Sequence, residues 1–116
     1  MVPFRKNKYH NRPTCGYDSR KEKYRADQLR LMQRAGLIAD LHEQVPFTLV
    51  PPQYITFPDG SRRCVKRPVT YVADFVYTDL TTGSTIVEDV KGLRTDVYVI
   101  KRKLMLHVLG IRIKET

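Results

Sequence analysis

The chain has 116 residues, 41% of them hydrophobic and 28% charged, a composition that favours one folded core over several and excludes disorder throughout. Its 21 Lys and Arg against 12 Asp and Glu leave a formal charge of +9 and a pI near 9.8. So much positive charge repels itself unless a polyanion neutralises it, which points to nucleic acid, the plainer alternative being a basic surface that only keeps the protein soluble.

Residues 1–17 carry no apolar periodicity, several cations and two prolines, and read as an extended basic arm preceding a single domain over 18–116. Ser19 and Glu22 have the spacing of a capping box and open a helix to Arg34, with Gly36 as its stop. Residues 37–50 predict a strand that Pro46 confines to an edge or a bulge. Pro51, Pro52, Pro58, Asp59 and Gly60 mark a loop or hairpin tip, followed by the cluster Arg62, Arg63, Lys66 and Arg67. Residues 69–78 and 85–91 are rich in β-branched and aromatic residues and flank a turn sequence, so they predict an antiparallel hairpin. Thr95 and Asp96 open a second helix to about Leu109, with Val97, Ile100, Leu104 and Val108 as its apolar stripe. Gly110 ends that helix, and Ile111 with Ile113 predicts a short last strand. The fold class is α+β with a mixed central sheet, in the order helix, strand, strand, strand, helix, strand.

Strand alternation puts Val72, Asp74 and Val76 on one face, and Val87, Asp89 and Lys91 on one face of the next strand. With residues 80–83 as the loop, Asp79 lies opposite Ser84, and counting back sets Asp74 opposite Asp89. Carboxylates so placed repel unless a cation or a proton lies between them. Mg²⁺ favours a few carboxylate oxygens plus water, and Lys91 beside such a site has the charge to orient a water or to offset charge on a phosphorus transition state. The competing reading is a solvated sheet face on which Lys91 makes a surface ion pair. Glu88 points to the opposite side and reads as structural. Glu22 is either a third acid at the edge of its helix or only the capping partner of Ser19. Lys101 borders the apolar stripe within reach of a phosphate, whereas Arg102 and Lys103 read as a solvated cationic strip that still favours phosphate.

The three His lack metal-ligand spacing, no Ser or Cys sits in a nucleophile motif, and no phosphate-binding loop motif is present. Cys15 and Cys64 are too few for a disulfide framework and suit a reducing compartment. No apolar run approaches the roughly 20 residues a membrane span needs, so a cytoplasmic location with no membrane partner is expected.

The segments YDSRKEKYRADQLRLMQRAGLI, EQVPFTLV, YVADFVY, VEDVKG, YVIKRKLM and GIRI together resemble a small phage-borne branch of the PD-(D/E)XK nuclease superfamily. The resemblance implies a restriction-endonuclease-like core and a Mg²⁺-dependent DNA endonuclease, Mn²⁺ substituting, located in the host cytoplasm if phage-encoded. It implies metal ligation by Asp74, Asp89 and Glu22, assistance to the water by Lys91, and an auxiliary role for Lys101. Ala73 stands where the family name promises Pro. DNA contacts are expected from Arg5, Lys6, Lys8, Arg12, Arg62, Arg63, Lys66, Arg67, Arg94, Lys101 and Lys103. A two-fold dimer cutting branched DNA such as a Holliday junction, in phage recombination, replication or packaging, is the version the resemblance suggests. A catalytically silent nucleic-acid-binding protein of the same fold is the alternative, and a ribonuclease a third.

Overall fold

The computed structural model describes residues 19–91 and 93–116. The basic arm, with Arg5, Lys6, Lys8 and Arg12, lies outside the described residues. In chain order the elements are α1 (Arg20–Arg34), β1 (Ile38–Val50), β2 (Gln53–Thr56), β3 (Arg62–Lys66), β4 (Val69–Asp79), β5 (Thr85–Asp89), α2 (Asp96–Leu109) and β6 (Lys114–Glu115). They form a four-stranded sheet ordered β1-β4-β5-β6 and a separate two-stranded ribbon, β2-β3. This is the expected α+β class with a mixed sheet: β5 and β6 run parallel, whereas β4 and β5 are joined by a hairpin turn in which Asp79 N donates to Ser84 O; the separate ribbon pairs β2 and β3 antiparallel. Among the described residues no helix is long and apolar enough to cross a membrane.

The chain divides into two units, Met1–Leu41 with Tyr77–Thr85, and His42–Val76 with Ile86–Thr116. In the first, Ser19 caps α1 through its hydroxyl, which accepts from Glu22 N at 3.1 Å. Gly36, at φ +80°, reverses the chain after the helix. Gly36 N donates to Gln33 O and Leu37 N to Met32 O, a paired closure that a residue with a Cβ adopts only under strain. Glu22, Ala26 and Leu29 are the buried positions of α1, spaced three and four apart. The turn after β4 closes as its sequence predicts: Asp79 N donates to Ser84 O, and the Asp79 carboxylate accepts from Thr81 N and its hydroxyl.

In the second unit Leu49, Tyr71, Ala73, Val87, Tyr98, Met105 and Ile113 form the core cluster. Edge placement of β1 agrees with Pro46, which has no N–H to offer a neighbour. Gln44, non-glycine at φ +55°, marks an irregularity in the same strand.

Several expectations need correcting. Of the loop and the hairpin tip expected around Asp59 and Gly60, the structure has the hairpin tip; the flanking strands β2 and β3 were not in the expected order, which therefore has two strands more than predicted. The strand expected to reach Lys91 ends at Asp89, and the last strand lies at Lys114–Glu115 rather than at 111–113. The stripe predicted for α2 is displaced: Tyr98 and Met105 are buried and Leu104 half-buried, whereas Val97, Ile100 and Val108 are exposed. The cause is polar. The Tyr98 hydroxyl and the Arg102 guanidinium both bind Glu115, and satisfying those groups turns the 98–102–105 face inward at the expense of three of the four aliphatic side chains aligned by sequence alone.

Candidate functional site

The site is built from β4, β5 and the segment after β5, all within the second unit. Asp74 lies on β4 among residues whose alternate neighbours Tyr71, Ala73 and Phe75 are largely buried. Its Oδ2 accepts from Val90 N at 2.8 Å, so this carboxylate is tied to the backbone immediately following Asp89. Asp89 is 2% exposed, a burial that a carboxylate tolerates only when its oxygens find donors or cations. The Tyr71 hydroxyl donates a short hydrogen bond to Asp89 Oδ2. Asp89 Oδ1 is buried and receives no hydrogen bond; the Lys91 ammonium stands 3.3 Å away as an ionic neighbour without hydrogen-bond geometry.

The Tyr71 hydroxyl is held neutral well above the ordinary phenol range. Burial is the main cause, then its hydrogen bond to Asp89, then the charges of Asp89, Tyr98 and Asp74. Both carboxylates therefore act on the same hydroxyl.

Lys91 is half-buried and lies over the Tyr98 ring, 4.2 Å from its centroid, an arrangement that draws the ammonium toward the acids and away from bulk water. The Tyr98 hydroxyl donates to Glu115 Oε2 at 2.6 Å. Glu115 also accepts from Arg94, through Nε and Nη2, and from Arg102 at 2.8 Å. These donors, Arg94 first, hold the Glu115 carboxyl down at about 2, so it stays charged and anchors the ring that supports Lys91. Burial and the bond to Glu115 raise the Tyr98 phenol.

Of the residues expected at the site, Asp89 and Lys91 thus form an ion pair, and Asp74 accepts from the backbone of Val90 between them, all in the second unit. Glu22, buried on α1, belongs to the first unit. Among the described residues no three His, Cys, Asp or Glu side chains group as metal ligands. Lys101 is half-buried on α2, and Lys103 is exposed beside a cavity of about 270 Å³ lined also by Arg102, Arg112 and Glu115. Arg94, expected to meet DNA, is engaged by Glu115. Arg102, expected to point outward into solvent, is half-buried on the same acid. Glu88 is fully buried and accepts from the Thr116 hydroxyl at 3.0 Å, consistent with a structural part.

Tyr71, Tyr98 and Glu115 were missed by sequence reasoning. Tyr71 precedes Asp74 by three residues, a spacing that suggests nothing in a strand, and Glu115 is far in sequence from every group it binds.

A family model described as "Protein of unknown function (DUF1064)" matches residues 5–112. The chain belongs to that family. No curated protein and no solved structure matches the chain. All of the site's residues except Glu115 fall inside the matched span.

Proposed function

We propose that the protein is a metal-dependent DNA endonuclease with its active centre at Asp74, Asp89 and Lys91. The observation that carries this reading is the Asp89 carboxylate, buried, fixed through one oxygen by Tyr71 and without a hydrogen bond at the other. Such an oxygen is costly unless a cation is its partner, and among the described residues Lys91 provides one, at a distance longer than a good charge-assisted hydrogen bond. The pair Asp74 and Asp89 supplies hard oxygen donors of the kind Mg²⁺ and Mn²⁺ take, so these two residues fit a divalent cation. Bound there, the cation would supply a more acidic water and charge neutralisation on a phosphodiester.

The chain's own residues have separable parts in this reading. Tyr71 fixes the orientation of the Asp89 carboxylate, and the Val90 amide fixes that of Asp74. Lys91, steered by the Tyr98 ring, keeps an ammonium at the mouth of the acid pair, where it can hold a phosphate oxygen or a water. Lys101 and Lys103 add positive charge on α2 for the backbone of the nucleic acid. A branched substrate such as a four-way junction, cut by a two-fold dimer in phage recombination, replication or packaging, is the proposed setting, with the host cytoplasm as its compartment.

The test is a nicking assay in Mg²⁺ and in Mn²⁺ on duplex, flap and four-way-junction DNA, with an RNA duplex alongside. Cutting of at least one DNA form, lost in chelator and in Asp74→Ala, is expected. No cutting of any form by pure protein would end the enzymatic reading. The second reading, a silent DNA-binding protein of the same fold, draws on the lack of a three-acid group among the described residues. Titration calorimetry separates the two: the enzyme takes up Mn²⁺ and Asp89→Asn does not, whereas the silent protein takes up none.

A further inference from the structure

Every residue over 51–68 is exposed, yet the segment holds a paired ribbon. Gln53 faces Lys66, Tyr54 faces Cys64, Ile55 faces Arg63 and Thr56 faces Arg62, with one irregularity between Gln53 and Tyr54. Its tip is bound into shape: Phe57 N donates to Ser61 O, Gly60 N to Phe57 O, and the Asp59 carboxylate takes both the amide and the hydroxyl of Ser61. An isolated two-stranded hairpin is at best marginally stable in water, and this one buries none of Tyr54, Ile55, Phe57 or Val65. A ribbon kept paired while its apolar side chains stay exposed leaves a surface for something outside the protein.

Its chemistry selects the occupant. Across 53–67 stand Arg62, Arg63, Lys66 and Arg67 against the single acid Asp59, a strong excess of positive charge on a narrow projection. Register puts Tyr54, Thr56, Arg62 and Cys64 on one face, because paired residues share a side and alternate residues repeat it. On that face the Arg62 guanidinium lies 4.4 Å above the Tyr54 ring, which restricts the fork while leaving its outer N–H groups free to donate. The opposite face carries Ile55 and Arg63. Strands about 4.8 Å apart with side chains on both edges make a body that the B-DNA major groove, about 12 Å wide, admits; the deep, narrow major groove of an RNA duplex does not.

From this we infer that the β2–β3 ribbon is a DNA-reading arm that enters the major groove of duplex DNA, presenting Arg62 and Thr56 to base edges and using Lys66 and Arg67 at its root for phosphates. The inference rests on the reading of the protein as DNA-binding and adds the element that recognises the duplex. It also assigns a readout that the acid centre does not supply.

Binding of the full-length protein to a fluorescein-labelled DNA duplex in chelator, where no cutting occurs, tests it by anisotropy and by dimethyl sulfate protection of guanine N7. The expected results are N7 protection by the unaltered protein, and loss of that protection with about five- to a hundredfold weaker binding in Arg62→Ala. Arg62→Lys should restore affinity only in part, since an ammonium lacks the planar fork. An RNA duplex of matching sequence should compete poorly. A Tyr54→Ala, Arg62→Ala, Arg63→Ala variant that binds and protects DNA like the unaltered protein overturns the inference even if Mg²⁺-dependent cutting stands. Equal competition by duplex RNA overturns it as well. So does a variant that changes only self-association, which would make the ribbon a contact between copies. Asp89→Asn keeps the two questions apart: it should lose cutting while retaining N7 protection.

Discussion

The acid centre and the β2–β3 ribbon lie in the same unit and follow opposite physical rules. At the centre every polar group is judged against burial: Asp89 is 2% exposed, Tyr71 supplies its donor, and Glu115 collects Tyr98, Arg94 and Arg102 to hold the neighbouring ring. On the ribbon every residue is exposed, and cross-strand pairing, hydrogen bonds within the tip and one ring–guanidinium stack are what order it. Changes at the centre should therefore be felt in stability and chemistry together. Changes on the ribbon should be felt only when a ligand is present.

The largest expected effect is on chemistry. In the nuclease reading Asp89→Asn, nearly isosteric, should reduce metal-dependent nicking to background while circular dichroism stays that of the unaltered protein. Activity close to that of the unaltered protein in this variant would remove Asp89 from the active centre. Next comes core volume. Met105→Ala empties a fully buried position and should cost about 2–5 kcal/mol in chemical denaturation, through lost transfer energy and the cavity left behind. Tyr71→Phe follows, at about 1–3 kcal/mol, because it leaves Asp89 without hydrogen-bond donors at either oxygen. In the nuclease reading Tyr71→Phe also loosens a ligand's support, and Mn²⁺ affinity should fall by about 10- to 100-fold. Unchanged stability and unchanged Mn²⁺ uptake in Tyr71→Phe would mean that the phenol orients nothing.

What was legible in the sequence divides along the same line. Helix α1 was readable from Ser19, Glu22 and Gly36, and the hairpin turn from Asp79 to Ser84, because each is encoded within a few residues by groups that satisfy the backbone locally. The ion pair of Asp89 with Lys91 was inferable from their closeness in sequence. The supporting set was not: Tyr71 reaches Asp89 across 18 positions, and Glu115 binds Tyr98 across 17. The same Glu115 contacts explain the misplaced α2 stripe. Val97, Ile100, Leu104 and Val108 repeat with helical period, but a charged residue beyond the helix, with two partners on another face, decided which side turns inward. The ribbon's tip at Asp59 and Gly60 was legible as a hairpin candidate, but its two strands were not, because their residues alternate too weakly in hydrophobicity and the prolines at 51, 52 and 58 also fit a loop.

A subtler difference concerns pH. Glu115 has its carboxyl lowered from 4.5 to about 2, chiefly by Arg94 and then by Tyr98 and Arg102. A depressed folded-state value means that the unfolded chain binds the proton first, so the stabilisation is complete above about 4.5 and is lost as pH falls from there through about 2. Denaturation midpoints measured over that window should fall less steeply for Glu115→Gln than for the unaltered protein. Equal slopes would show that the arginines and Tyr98 do not discriminate between the charged and neutral carboxyl. No comparable acid-dependent loss is expected from ribbon substitutions such as Arg62→Ala.

The smallest effect is the sharpest check on the contrast. Val87 and Val65 are the same residue type on β5 and β3, one 4% exposed in the core cluster and the other 44% exposed on the ribbon. Truncating Val87 to Ala removes two buried methyl groups, so its cost follows from lost transfer energy at about 0.8 kcal/mol per buried carbon plus the void they leave. Truncating Val65 to Ala removes methyls that water already reaches, and its effect should lie within about 0.5 kcal/mol of zero. Equilibrium denaturation of the two variants side by side measures the difference directly. A loss at Val65 as large as at Val87 would mean that the ribbon packs against something in the free protein, in solution, and its exposed side chains could then not be assigned to a ligand.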